Sequence, residues 1–367
     1  MIDTDHLHLT QRARLLTLTV SATLTLACDR ATTSPGTNLE PRTFRMGFSA
    51  IPPDSTQQST FASLDAWTNR ADAAIMHISV PYKALLTGTT ASTYVSTVDL
   101  PLANFYRGKN LTVVVTVDVT NGLDRSAENP DLVAMNRSIT EPAVQQVYRQ
   151  YVQALVSQIH PTYLGLAAET NLIRATAPAA VYTALVQMAN AAAADVRAMP
   201  APLPRLYVSV QADYAWGKFL NNVYQGVETD FSDFPFNDAL AISSYPYFVY
   251  PDPDDVPLDY YSRLANGRSI PVLVVEGGWT SGSVGSVQSS LEKQARYLRR
   301  QEQMLDAAKA VAVFQLTYTD LDLTQYPPQP TGSILPLFAQ LGVVDTKLKA
   351  KPALATYDSV FARTLVK

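Results

Sequence analysis

The sequence predicts an α/β fold, a single-domain (β/α)8 TIM barrel, from three observations. Eight short runs rich in β-branched and other apolar residues recur along the chain, and longer amphipathic stretches lie between them. The runs are almost continuously apolar, which is typical of parallel strands whose sheet is covered by helices. Eight such units in roughly 320 residues fit a closed barrel. A doubly wound open sheet is the alternative, but neither the G-x-G-x-x-G turn nor the P-loop typical of such sheets is present.

The predicted elements follow one another in a regular order. The eight strands are predicted at 44–51, 73–80, 111–119, 163–169, 206–213, 239–245, 271–278 and 310–318. Amphipathic patterns predict helices at 141–159, 177–199 and 286–310. The sequence shows no internal repeat and no linker after residue 41. We therefore expect residues 43–367 to form one barrel domain.

The N-terminal residues are predicted to be a leader and a tether. Two arginines precede an apolar, threonine-rich stretch that ends at Ala27, which is the order of a secretory signal peptide over residues 1–27. Cys28, directly after it, resembles the lipidated cysteine of a bacterial lipobox. The polar residues 28–42 then suit a flexible tether. We expect an exported cell-envelope lipoprotein; secretion without a lipid, or a cysteine buried in a first strand, are the alternatives.

The composition narrows the classes of partner. The chain has 367 residues, of which 47% are hydrophobic and 16% charged, and its net charge is −4. This globular composition lacks the basic cluster of a nucleic-acid-binding protein. After residue 30 no run approaches the roughly 18 apolar residues that span a bilayer, so membrane contact is expected only through a lipid anchor. A single cysteine excludes an intramolecular disulfide. We expect a monomer.

The sequence offers little for metal or serine-hydrolase chemistry. Four histidines show no H-E-x-x-H pattern, and no G-x-S-x-G is present. The loop 250–259 holds four aspartates, which suits calcium, but it lacks the spacing and glycine of an EF-hand, so a solvated loop is favoured. We expect no metal and no cofactor.

Two glutamates stand at predicted strand ends. Glu169 ends the fourth strand and Glu276 lies near the end of the seventh. Active sites of (β/α)8 barrels gather at the C-terminal ends of the strands, so the two acids are expected to face one another there. Paired carboxylates suit a retaining glycosidase, in which they lie roughly 5–5.5 Å apart. The alternative is that each is a solvated loop acid.

Several segments resemble the clan of retaining TIM-barrel glycosidases that includes endo-β-1,4-galactanases and plant-type β-1,3-glucanases. "VVEGGWTS" is similar to the clan's nucleophile segment, "ISSYPY" to its sixth strand, and "GVVDTKLKAKPALATY" to its C-terminal closure. The resemblance implies that Glu276 is the nucleophile and Glu169 the acid/base. It also implies that Tyr245 hydrogen-bonds the nucleophile and that Trp279 stacks on sugar. The substrate implied is a β-linked poly- or oligosaccharide.

The chain departs from the clan pattern at two places, which marks it as a divergent member. Ala168 stands where the clan has an asparagine before the acid/base, and the nearest asparagine is Asn171. The eighth strand lacks the tryptophan of many members, and Gln315 and Tyr318 stand in its place. The loss of the asparagine would remove transition-state stabilisation. A non-catalytic carbohydrate-binding or scaffold lipoprotein is therefore the alternative function, and a transglycosylase is a further one.

The remaining candidates are predicted to contact the substrate. His77 in the second strand either lines the cleft or is a core histidine, and Asp118 either orients sugar hydroxyls or pairs with Arg125. Aromatic residues follow the fifth strand, where Tyr214 and Trp216 are predicted to bind sugar rings, because the C–H groups of a sugar stack on aromatic faces. Packing within the loops is the alternative for these aromatic residues.

Overall fold

Eight parallel strands form a barrel in the computed structural model, which describes residues 39–54, 56–326 and 332–366. In chain order they are Arg45–Ser49, Ala73–Ser79, Thr112–Asp118, Tyr163–Gly165, a fifth strand in two pieces (Arg205–Tyr207 and Ser209–Gln211), Leu240–Ser244, Val272–Gly277 and Ala312–Gln315. Each strand pairs with the next, and the eighth pairs with the first. The two ends of the sheet are the two pieces of the fifth strand, so the chain completes the ring. The predicted barrel is confirmed.

Helices surround the barrel. The longer ones are Gln57–Thr68, Pro142–Ile159, Ala179–Arg197, Leu291–Ala307 and Pro352–Phe361. Shorter helical segments are Tyr82–Leu86, Ala91–Tyr94, Val95–Asp99, Leu100–Gly108, Pro130–Ala134, Thr170–Thr176, Ala212–Ala215, Glu228–Asp233, Pro246–Phe248, Pro253–Asp255, Ser262–Ala265, Leu323–Gln325 and Leu335–Phe338. Several begin with proline, which suits the first turn of a helix because backbone N–H groups in that turn have no partner within the helix.

Alternating side chains along the strands fill two separate layers. One cluster, inside the barrel, includes Ile75, Val114, Leu273 and Phe314, all buried. The larger cluster lies between the outer face of the strands and the helices. Both faces are therefore apolar, which is why the strands read as continuous hydrophobic runs.

The fourth and fifth strands depart from their predicted bounds for local reasons. The fourth ends at Gly165, not at Glu169, because the chain leaves the sheet there and Glu169 adopts a left-handed conformation with φ of 49°. The fifth is interrupted at Val208, whose N–H donates to the side chain of Asn237 at 2.8 Å. A side chain thus replaces one ladder hydrogen bond.

A short hairpin that was not predicted follows the third strand. Its strands are Thr120–Asn121 and Asp124–Glu128. The pair Asn121-Gly122 is a strong sequence signal for such a turn. The hairpin matters because it carries Arg125 to the end of the barrel where the candidate site lies.

The N-terminal prediction lies almost entirely outside the described residues. The signal peptide over 1–27, the lipidation of Cys28 and most of the tether belong to that part. The tether was predicted to reach residue 42, and this end is wrong, because Arg42 is buried and forms an ion pair with Asp72 at 2.7 Å. Arg363 also donates to the backbone oxygen of Glu40 at 2.7 Å. Within the described ranges, no helix is long and apolar enough to cross a bilayer.

Candidate active site

The two predicted glutamates line one cavity. It has a volume of about 360 Å³ and lies at the C-terminal end of the barrel. Glu276 comes from the seventh strand, and Glu169 from the turn between the fourth strand and the helix Thr170–Thr176. Two residues that are far apart in sequence thus line the same cavity.

Glu276 is held by a tyrosine of the neighbouring strand. The pairing of the sixth and seventh strands is irregular between Val274 and Glu276, and such a bulge re-aims a side chain. The hydroxyl of Tyr245 donates to Oε1 of Glu276 at 2.5 Å. Burial, and secondly the charge of Glu169, raise the pKa of Glu276 to about 7. The Tyr245 hydrogen bond opposes this shift.

His77 stands beside Glu276 as a neutral group. Its Nε2 lies 4.0 Å from Oε2 of Glu276, but burial lowers the pKa of His77 to about 4, so the two do not form an ion pair at neutral pH. Nε2 is 3.1 Å from the carbonyl oxygen of Val275. A carbonyl only accepts, so Nε2 carries the proton. The buried Nδ1 then has a free lone pair and no partner among the described residues.

Glu169 is buried and is held by three residues. Its backbone N–H donates to Oγ of Ser209 at 3.0 Å, and Oγ of Ser243 donates to its Oε1 at 2.6 Å. Nε of Arg125 donates to its Oε2 at 2.9 Å. A left-handed backbone is uncommon outside glycine, and such strain is concentrated at functional sites. The strain and these bonds support a role for Glu169 beyond folding.

Arg125 links two acids. Its Nη1 donates to both carboxylate oxygens of Asp118, at 2.8 and 2.7 Å. Burial alone would lower the pKa of Arg125, but the charges of Asp118 and Glu169 outweigh it and raise that pKa. The predicted pairing of Asp118 with Arg125 is therefore present, and its extension to Glu169 was not foreseen.

A second cavity of about 240 Å³ adjoins the first. The two share five lining residues, which are Gly122, Leu123, Arg125, Glu276 and Phe338. His77 and Asp118 line the smaller cavity, and so does Ala168, the residue at the expected asparagine position. Among the described residues, Glu276 faces both cavities, whereas Glu169 faces only the larger.

Two predicted substrate-binding tryptophans lie in the core. Trp279 is 2% exposed, packs on Tyr297 with ring centroids 5.1 Å apart, and donates to Oγ of Ser289 at 2.9 Å. Trp216 stacks on Tyr260 at 5.1 Å and donates to its backbone oxygen. Neither lines the two cavities, so the predicted sugar stacking is wrong for both.

Other predicted binding residues are also used for folding. Asn171 is fully buried, and its amide exchanges two hydrogen bonds with the backbone of Gln211. Gln315 is buried and donates to Gln301. Tyr318 is buried against Phe48. Like these three, Tyr214 is absent from the residues that line the two cavities. The proposed substitution of the missing asparagine by Asn171 is therefore wrong.

The cavity walls contain apolar residues that the sequence did not single out. They are Leu123, Leu172, Phe219, Ile334 and Phe338 in the larger cavity. Most come from loops, where apolar residues give no periodic signal. In the acidic loop, Asp252 and Asp254 pair with Arg296, which accounts for their charge without calcium. Over residues 39–54, 56–326 and 332–366, no group of three or more acidic, histidine or cysteine side chains is arranged to hold a metal ion.

Comparison with known proteins identifies the fold. No family model matches the chain, and no curated protein matches it. An exo-β-1,4-mannosidase from Opitutaceae bacterium strain TAV5 is similar, with a TM-score of 0.65 and 16% identity over 88% of this chain; this chain spans only 60% of that protein. A GH5_18 variant from Bifidobacterium longum subsp. longum, in complex with Manβ1-4GlcNAc, has a TM-score of 0.60 and 16% identity over 87% of this chain and 78% of that one.

A family 39 glycoside hydrolase from Bacteroides cellulosilyticus WH2 is also similar, with a TM-score of 0.58 and 15% identity over 88% of this chain and 64% of that one. At such identities the likeness shows the fold alone, a (β/α)8 barrel. The narrower resemblance to galactanases and glucanases stays a prediction.

Proposed function

We propose that this protein is a retaining glycoside hydrolase that acts on a β-linked glycoside. The observation that carries the proposal is that Glu169 and Glu276 line one cavity while Tyr245 donates to Glu276. Two carboxylates, one held by a tyrosine and the other by an arginine, provide the groups that a double displacement needs.

The reaction proceeds in two steps. In the first, a carboxylate oxygen of Glu276 attacks the anomeric carbon, the bond to the leaving oxygen breaks, and Glu169 gives its proton to that oxygen. In the second, Glu169 takes a proton from water, the water oxygen attacks the anomeric carbon, and the ester bond to Glu276 breaks. After the second step, Glu276 is again a free carboxylate and Glu169 is again protonated.

The pairing in the free site bears on which glutamate is the nucleophile. Arg125 and Ser243 donate hydrogen bonds to the side chain of Glu169, and the pKa of Glu276 is raised to about 7. Catalysis requires an ionised Glu276 and a protonated Glu169. The identity of the nucleophile is therefore worth testing directly.

A panel of β-glycosides tests the proposal. It includes β-mannosides, because two of the similar structures are described with β-mannosyl groups. Wild type should release sugar of retained configuration, seen by NMR as the β-anomer. Glu169→Gln should lower kcat about 10²- to 10⁴-fold, and Glu276→Gln should lower it further. A 2-deoxy-2-fluoro glycoside should label Glu276 covalently, and a peptide label on Glu169 or an inverted product would contradict the assignment.

A second candidate is a non-catalytic carbohydrate-binding protein. It is favoured by Ala168 in the cavity wall and by the use of Asn171, Trp216 and Trp279 in the core. Calorimetric binding of a saccharide without turnover, in both wild type and Glu276→Gln, would support this candidate over the hydrolase.

Export and lipidation complete the proposal. The support is the order of basic, apolar and small residues before Cys28. A bacterium that expresses the full chain should incorporate labelled palmitate into wild type and not into Cys28→Ser. The expected binding partner is a saccharide substrate. We also expect the protein to be a monomer, and light scattering of the purified protein measures its oligomeric state.

A further inference from the structure

We infer that the leaving group of the substrate is an apolar aglycone, such as an alkyl chain, and not a second sugar. This inference rests on the proposed function, because it uses the roles of the two glutamates. It adds the class of substrate, which the pairing of acids does not determine.

The two cavities divide between the two halves of the substrate. An acid must contact the leaving oxygen, and Glu169 lines only the larger cavity. A nucleophile must reach the anomeric carbon between both halves, and Glu276 lines both cavities. The leaving group therefore occupies the larger cavity and the glycone the smaller.

Most polar side chains of the larger cavity are already paired within the protein. Gln211 donates to Asp213 and accepts from the backbone of Tyr214. The hydroxyl of Ser126 donates to Asp124, and that of Thr176 to a backbone oxygen. Arg125 is bonded to its two acids and Tyr245 to Glu276. Few free donors are therefore left in this cavity for the hydroxyls of a second sugar.

The walls suit an apolar group. Three side chains at this cavity are exposed although they are large and hydrophobic: Phe219 at 48%, Ile334 at 39%, and Leu123 at 37%, which also lines the smaller cavity. They come from three separate segments of the chain. Exposed apolar residues that converge on one hollow mark a binding site, and the volume of about 360 Å³ is in the range of small-molecule pockets.

Alkyl glycosides provide the test. Methyl, butyl and octyl β-D-mannosides, β-D-glucosides and β-D-galactosides have leaving alcohols of similar reactivity, so chain length reports binding. Each fully buried methylene raises kcat/KM by up to about fourfold. We expect octyl to exceed butyl at least about tenfold, and to exceed the β-1,4-linked disaccharide of the same glycone. All assays stay below the concentration at which the glycosides form micelles.

A pair of phenylalanine variants locates the effect. Phe219→Ser should lower the octyl-to-methyl ratio of kcat/KM about threefold or more. Phe61→Ser is the matched control, since Phe61 is 59% exposed on the helix Gln57–Thr68 and lines neither cavity. Its ratio should equal that of wild type.

The outcomes separate the inference from the proposed function. Hydrolysis that does not depend on the length of the alkyl chain, or that prefers the disaccharide, overturns the inference of an apolar leaving group. The proposed hydrolase function then still stands. If no glycoside is hydrolysed, the proposed hydrolase function is overturned, and calorimetry then tests whether the larger cavity binds an apolar group. Tighter binding of octyl than of methyl glycoside that Phe219→Ser abolishes supports the apolar site, and equal binding overturns it.

Discussion

Nε of Arg125 lies 2.9 Å from Oε2 of Glu169, so a residue of the hairpin is paired with an acid that follows the fourth strand. Both side chains are almost fully buried, at 8% and 10% exposure. The charge of each would be costly at this depth without the other. The hairpin thus helps to hold the candidate acid/base at the cavity.

Removal of Arg125 should destabilise the fold. Arg125→Met leaves the buried Glu169 and the half-buried Asp118 without their cation, and we expect the free energy of unfolding at pH 7 to fall by about 3 kcal/mol or more. Urea denaturation followed by circular dichroism measures it. Arg299 is 52% exposed and pairs with Glu302, which keeps its pair with Arg363 when Arg299 is replaced, so Arg299→Met should cost under about 1 kcal/mol. Equal losses in the two variants would contradict the importance of burial.

The stability of the protein should depend on the ionisation of Glu276. The raised pKa means that the folded protein binds this proton more tightly than the unfolded chain does. Ionisation of Glu276 therefore lowers the free energy of unfolding as the pH rises from 4.5, which is the ordinary pKa of a glutamate side chain, to about 7.

Glu276→Gln cannot ionise, so its stability relative to wild type should rise by about 1.4 kcal/mol per pH unit over that window and then stay level. Asp99 and Asp213 also have raised pKa values, but they remain in both proteins and cancel in the difference. Denaturation midpoints at a series of pH values measure the effect. A difference that is independent of pH would show that Glu276 titrates normally.

Tyr245→Phe should change the pH dependence of the proposed hydrolysis. The lost hydrogen bond favours the ionised Glu276, so its pKa should rise further and activity should require a higher pH. At pH 7 we expect kcat/KM to fall about tenfold or more. Tyr247→Phe is the control, since that hydroxyl donates to the backbone of Leu337. An unchanged pH profile in Tyr245→Phe would argue against control of the nucleophile by this tyrosine.

Trp279→Phe should affect folding and not substrate binding. The indole packs on Tyr297 and donates to Ser289, and phenylalanine keeps a ring but loses the donor. We expect the free energy of unfolding to fall by about 1 kcal/mol, while KM for the best alkyl glycoside stays within about twofold of wild type. A large rise in KM with unchanged stability would restore the predicted stacking role.

The barrel and its two acids could be predicted because they depend on local patterns. Buried strands must be apolar on both faces, and this marks them in the sequence. A residue at the C-terminal end of a barrel strand must lie near the other strand ends, so Glu169 and Glu276 could be brought together by topology alone. The hairpin was missed although its Asn121-Gly122 turn is a recognisable signal.

The side chains around the acids could not be assigned in the same way. Trp279 is three positions after Glu276, yet it packs on a helix while Glu276 faces the cavity. Asn171 is two positions after Glu169 and is bonded to backbone of the fifth strand. Beyond the end of a strand the alternation of side chains no longer holds, so the direction of each side chain depends on the loop.

The sequence by itself determined the barrel, the order of its strands and the presence of two glutamates at their ends, because burial imposes a periodic pattern that short segments carry. Only the tertiary structure decided that Arg125 pairs with Glu169, that the tryptophans belong to the core, and that loop residues such as Phe219 form an apolar wall. These contacts join distant segments whose approach depends on the packing of the whole chain, and no local pattern encodes them.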